Sequence, residues 1–159
     1  MNYAEEIGKI LVQKQLTIST VESCTGGLLS SKLTDISGSS AYIKLNLVTY
    51  ANEAKNKMLG VDWNTLNSVG AVSGECAFQM AQGLHKLTHS EICVSTTGIA
   101  GPTGGTKEKP VGLMYSTIFT PKGYKTYKIL KPSNTPRIEM KELFAQEVLK
   151  NIYETLLLI

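Results

Sequence analysis

Apolar positions recur at helical spacing over residues 3–14, where Ala4, Ile7, Ile10 and Leu11 share a stripe and Glu5, Glu6 and Lys9 lie off it. Residues 16–21 change period: they are β-branched and partly alternating, which predicts a short strand. Residues 28–33 return to a helical pattern, and residues 45–50 predict a second strand. Asn52 is placed to cap a helix over 53–59 that Gly60 stops, and 62–67 predict a further helical turn. Ser73 is placed to cap a helix over 74–87 whose buried stripe is Ala77, Met80, Ala81 and Leu84. Residues 92–97 are almost wholly apolar or β-branched, as a central strand requires. Residues 111–119 and 124–130 predict two strands that a short turn, Pro121-Lys122-Gly123, makes antiparallel. Pro136 opens a last helix carrying Ile138, Leu143, Ala145, Val148, Leu149 and Ile152. The alternation predicts an α/β protein, a three-layer α/β/α domain over residues 1–159 with a mixed, mostly parallel sheet.

Composition narrows the class. With 159 residues, 42% hydrophobic and 18% charged, the chain reads as one soluble globular domain. It has no apolar run of membrane-spanning length, and Met1–Glu6 lacks a signal peptide's basic start, so a cytoplasmic location is expected. Three cysteines with no C-x-x-C pair argue against a disulfide framework, and Cys76 and Cys93 read as buried small hydrophobes. His85 and His89 sit at the end of one helix and read as structural or surface residues, so no metal site is expected. Trp63 reads as core or interface packing. A net charge of +3 suits an anionic small molecule and is too small to argue for nucleic acid.

Two strand ends carry the candidate chemistry. The first is Glu22-Ser23-Cys24-Thr25-Gly26-Gly27, where a strand hands over to a helix. By itself this pattern fits a ligand-facing turn with free backbone N–H groups or a plain capped turn. The second is the glycine-rich stretch 98–106, which either cradles a phosphate or carboxylate or wanders over the surface. Neither is a P-loop or a dinucleotide fingerprint. No serine–histidine–acid triad can be assembled, since neither histidine follows a strand end. A nucleophilic Ser23 needs another base, and Lys55, just past a strand, is the best candidate; Lys44 and Lys57 read as solvated. A lysine base near neutral pH needs its pKa lowered by about 3 units, some 4 kcal/mol; otherwise Lys55 is an ordinary ion-paired or surface lysine. Arg137 is the only arginine and opens the final helix, a poor place for a cation without an anionic partner.

These stretches, with Val48-Thr49-Tyr50-Ala51-Asn52-Glu53-Ala54-Lys55, Gly70-Ala71-Val72-Ser73 and Thr97–Thr106 running on to Lys109-Pro110-Val111-Gly112, closely resemble one family. It is the carboxyl-terminal domain of the competence/damage-inducible proteins, whose catalytic members are nicotinamide-nucleotide amidases; the chain resembles the stand-alone form. The resemblance implies hydrolysis of nicotinamide mononucleotide to nicotinic acid mononucleotide and ammonia, in pyridine nucleotide salvage, without a metal or other cofactor. It implies Ser23 as nucleophile and Lys55 as general base, with Cys24, Thr25, Gly26, Gly27 and Tyr50 supplying oxyanion or neighbouring contacts. Thr49, Asn52, Gly98, Gly101, Gly104, Gly105, Thr106 and Arg137 would bind the substrate. Family members carry Gly-x-Arg and a second basic residue four positions on; here Thr135 replaces the glycine, Pro136 intervenes, and Lys141 matches the second basic position. The resemblance suggests a homodimer, with no nucleic-acid or membrane partner. The other reading is a catalytically weak nucleotide- or phosphate-binding regulatory module.

Overall fold

A five-stranded sheet lies at the centre of the fold. The structure, a computed structural model, describes all 159 residues. The strands are β1 (Ile18–Glu22), β2 (Ile43–Val48), β3 (Ile92–Gly98), β4 (Leu113–Thr120) and β5 (Gly123–Leu130), in the order β2-β1-β3-β4-β5. β1 pairs in parallel with β2 and β3, and β4 runs antiparallel to both β3 and β5. Four strands therefore share one direction and β4 alone is reversed. The sheet is mixed, as the turn at Pro121–Lys122 predicts.

Helices cover both faces. α1 (Tyr3–Lys14), α2 (Leu28–Thr34) and α6 (Arg137–Leu157) pack together on one side; α3 (Asn52–Leu59), α4 (Trp63–Ser68) and α5 (Gly74–Thr88) lie on the other. Each face has its own core. Ile7, Leu11, Phe144, Val148 and Ile152 close over Ile18, Ile92 and Val94 on the first. Met80, Leu84, Leu59 and Cys76 close over Val21 and Cys93 on the second. The helical stripes set these faces: Ala77, Met80, Ala81 and Leu84 of α5 are all fully buried.

Several boundaries differ from the sequence expectation for local reasons. β2 ends at Val48, opposite Glu22, and not at Tyr50. Thr49 still donates its N–H to the Glu22 carbonyl at 2.9 Å, but the Thr49 and Tyr50 carbonyls turn out of the ladder toward Lys55. Asn52 is the first residue of α3 and not its cap; Ala51 holds the cap position without a side-chain bond. Trp63 opens α4 behind the Asp62 cap and is 43% exposed, so it is not a core residue. Pro136 stands just before α6, whose first residue is Arg137.

One glycine fixes where α3 sits. A methyl group on Gly83 of α5 would land on the Leu59 carbonyl oxygen, backbone against backbone. Helix propensity favours alanine there by roughly 1 kcal/mol, so the close approach of α3 outweighs the local cost. Gly83→Ala should push α3 outward, lowering stability by about 1–3 kcal/mol in a urea titration. Because α3 carries Lys55, activity should fall with it.

Candidate active site

Glu22 is the last residue of a strand whose five positions are all buried, and it is itself fully buried. A carboxylate there must be met by donors. It accepts from Thr25 Oγ1 (2.6 Å), Gly27 N (3.2 Å), Leu29 N (2.9 Å), Ser30 N (2.9 Å) and Ser30 Oγ (2.5 Å). The chain between Glu22 and α2 is wrapped around this carboxylate. Gly26 and Gly27 have φ of +60° and +102°, the left-handed conformation that allows the tight return.

Ser23 follows Glu22 and is 8% exposed. Its N–H donates to the Thr96 carbonyl at 3.1 Å, tying the loop to β3. Its Oγ lies 2.8 Å from Lys55 Nζ. Lys55 is 1% exposed, and no carboxylate forms an ion pair with it. Two more positions around Nζ are filled by carbonyl oxygens, Thr49 at 2.9 Å and Tyr50 at 3.0 Å. Carbonyls only accept, so each takes an amine N–H. In a neutral amine the lone pair is then left facing Ser23, whose hydroxyl can donate to it.

Burial pushes the Lys55 pKa below its ordinary value, opposed by the neighbouring Cys76 and Cys24 thiols. That opposition needs thiolates. Burial pushes Cys24 up to about 12 and Cys76 up to about 11, so both are uncharged near neutrality and do not hold the lysine's proton. An uncharged Cys24 is also no rival nucleophile to Ser23.

A cleft of about 260 Å³ opens above this pair, just under the usual size of small-molecule sites. Ser23, Cys24 and Lys55 form its floor; Ala71, Val72, Ile99 and Ala100 are apolar walls; Tyr50, Asn52, Thr97, Gly98, Gly101, Thr103, Gly104 and Arg137 complete it. None of the lining residues is acidic. Arg137 donates Nη1–H to the Gly101 carbonyl at 2.6 Å and Nη2–H to Tyr50 Oη at 3.0 Å, bridging two loops. Both acceptors are neutral, so the guanidinium charge carries no counter-ion. Lys141, one helical turn further on, places Nζ beside Gly26.

The structure brings together most of the residues singled out from the sequence. Ser23, Cys24, Tyr50, Asn52, Lys55, Gly98, Gly101, Gly104 and Arg137 all line the cleft. Thr49 takes part through its carbonyl. Thr25 faces Glu22 and Thr96, away from the cleft. Gly105 and Thr106 are exposed outside the lining, where Thr106 exchanges hydrogen bonds with Lys109. The amides of Gly26 and Gly27, expected to face a ligand, are spent inside the protein on the Ser23 carbonyl and on Glu22. Among walls not anticipated as such, Ala71 stands out: its carbonyl accepts from Thr97 Oγ1 at 2.8 Å, which pins the 70–73 segment to β3. No group of three or more His, Cys, Asp or Glu side chains is arranged to hold a metal ion, and no helix is long and apolar enough to cross a membrane.

Fold and site define a three-layer α/β/α domain with a buried serine–lysine pair in a strand-end cleft. The chain belongs to the CinA C-terminal domain family, which matches residues 1–156. A CinA-like protein of Desulforapulum autotrophicum is 47% identical over 154 residues, 97% of this chain. The chain spans 36% of that relative's length. Among solved structures, the competence/damage inducible protein CihA of Agrobacterium tumefaciens superposes with a TM-score of 0.88 at 38% identity, covering 96% of this chain and 94% of CihA. A CinA superfamily protein of Klebsiella pneumoniae gives a TM-score of 0.93 at 25% identity, covering 99% and 97%.

Proposed function

We propose that this domain hydrolyses the carboxamide of nicotinamide mononucleotide, releasing nicotinic acid mononucleotide and ammonia, as a step of pyridine nucleotide salvage. The observation that carries the reading is the 2.8 Å approach of Lys55 Nζ to Ser23 Oγ in a buried site with two carbonyls orienting the amine. Neutral Lys55 takes the Ser23 proton as Oγ bonds to the carboxamide carbon. The resulting ammonium gives that proton to the departing nitrogen, the C–N bond breaks, and ammonia leaves an acyl ester on Ser23. Water then attacks the ester as Lys55 takes its proton; Lys55 returns that proton to Ser23 Oγ as the C–Oγ bond breaks, and the acid departs. Gly101, Gly104 and Arg137, all in the cleft lining, would supply donors to the 5′-phosphate. The apolar walls suit a flat aromatic ring, and the lack of acidic side chains suits an anionic nucleotide.

The decisive measurement is ammonia release from nicotinamide mononucleotide beside free nicotinamide. Turnover of the nucleotide alone is expected. Equal turnover of both would remove the phosphate from the reading, and calorimetric nucleotide binding without ammonia would leave only the binding-module alternative. That alternative does not explain why a lysine is buried without a carboxylate yet held against a serine.

The pH dependence follows from Lys55. Its folded pKa lies below the free value, and catalysis needs the neutral amine, so kcat/KM should rise with pH along a limb whose midpoint lies below the ordinary lysine pKa of about 10.4. Linkage fixes the sign for stability. Between the folded and unfolded pKa values the unfolded chain binds more protons, so this group makes stability increase with pH there. A rate profile with no acid limb below the ordinary lysine range would contradict the assignment.

A further inference from the structure

We propose that Glu22 is a positioning residue for the amide hydrolysis above, and that the backbone N–H of Cys24 is the oxyanion donor it leaves free. This rests on the serine–lysine reading of the same site.

Every other N–H near the nucleophile on this loop is already used. Ser23 N donates to Thr96, Gly26 N to the Ser23 carbonyl and Leu28 N to the Thr25 carbonyl. Gly27, Leu29 and Ser30 donate to the Glu22 carboxylate. The start of α2 is thereby closed to a substrate anion by the protein's own carboxylate. Cys24 N and Thr25 N have no acceptor within the protein; Cys24 borders the cleft, whereas Thr25 is 0% exposed and lies outside its lining. Buried backbone N–H groups are almost always paired. An unpaired one that borders the cleft is free for an anion. The Cys24 amide lies in the turn that the Gly26 N–H to Ser23 carbonyl bond closes, directly after the attacking residue. A carbonyl carbon bonded to Ser23 Oγ would bring its oxygen beside it. The Thr25 hydroxyl bond to Glu22 at 2.6 Å and its bond to Thr96 at 2.9 Å hold that turn from below. The carboxylate touches no part of the cleft lining except through this chain. It acts on the reaction by fixing where the Cys24 amide points.

The direct test replaces the amide at position 24 by an ester, through incorporation of lactic acid, and compares it with Cys24→Ala, which keeps the N–H. The expected result is a kcat lower by about 10²–10³ than Cys24→Ala, with KM changed less than about threefold. Equal kcat in the two proteins would overturn the donor assignment. Glu22→Gln supplies the second arm. Whichever oxygen becomes an NH₂ then faces at least one backbone N–H, which can only donate, so the turn should shift; kcat should fall while KM holds, and affinity for a nicotinamide-like boronic acid should fall by the same factor as kcat. A fall in KM terms alone, or unchanged boronate affinity, would show that Glu22 serves only the fold. If Glu22→Gln fails to fold, the ester comparison still decides. The rate of Ser23 labelling by a fluorophosphonate separates this proposal from the substrate reading. Wild-type protein that is labelled but releases no ammonia defeats the nucleotide assignment, while slower labelling of the ester protein still supports the donor. Wild-type protein that is neither labelled nor active defeats both.

Discussion

Ser23→Ala should release ammonia from nicotinamide mononucleotide at least about 10⁴-fold more slowly than the parent chain, as expected when a hydrolase loses its nucleophile, while calorimetry should still report nucleotide binding. The side chain is small and 8% exposed, and its removal leaves Glu22, the turn and the cleft walls in place. Its one short hydrogen bond is to Lys55, which keeps the Thr49 and Tyr50 carbonyls as acceptors. Binding should therefore survive and only the covalent step be lost. A variant with near-parental turnover would show that water attacks directly and that Ser23 is a bystander.

Lys55→Met should cost as much in rate, and Ser23→Ala/Lys55→Met should be no slower than either single variant, because nucleophile and base act as a unit. Methionine is close in length and apolar, so the buried space stays filled. What it removes is the base, and with it the partner of two carbonyls. Stability then responds in two directions: the cost of burying an amine disappears, and two acceptors lose their donor, at roughly 1–3 kcal/mol each if water does not replace it. The pH signature is cleaner. The part of the stability slope that Lys55 contributes should vanish from the variant's urea titrations between neutral pH and pH 10. Losses that simply multiply in the double variant would break the pairing of Ser23 with Lys55.

Much of this fold is legible in periodicity. The stripes on the helices at 3–14 and 74–87 and the apolar run of β3 place their faces correctly, because burial alone decides those positions. The site was legible where local chemistry signals itself. A serine and glycines after a buried strand, a lysine just past another strand and a single arginine at a helix start each break a local rule. Three features were not legible, each because it depends on contact. Gly83 looks like a weak point in a helix until α3 is seen pressing on it. Thr49 and Tyr50 have strand-forming side chains, yet their carbonyls are claimed by Lys55. Glu22 gains five donors from residues three to eight positions later, an arrangement that exists only after the turn has formed. The available hint was the charge itself, at the end of a short β-branched strand and directly before Ser23.

The Glu22 cage also writes a contrast into the exchange of backbone hydrogens with solvent deuterium. The amides of Gly27, Leu29 and Ser30 are locked on one buried carboxylate and open only when the turn unravels. The amides of Cys24 and Thr25, a few residues before them and as deeply placed, are held by nothing. Protection should therefore switch from weak to strong within three residues, a step that burial alone cannot produce. A bound anion would flatten it.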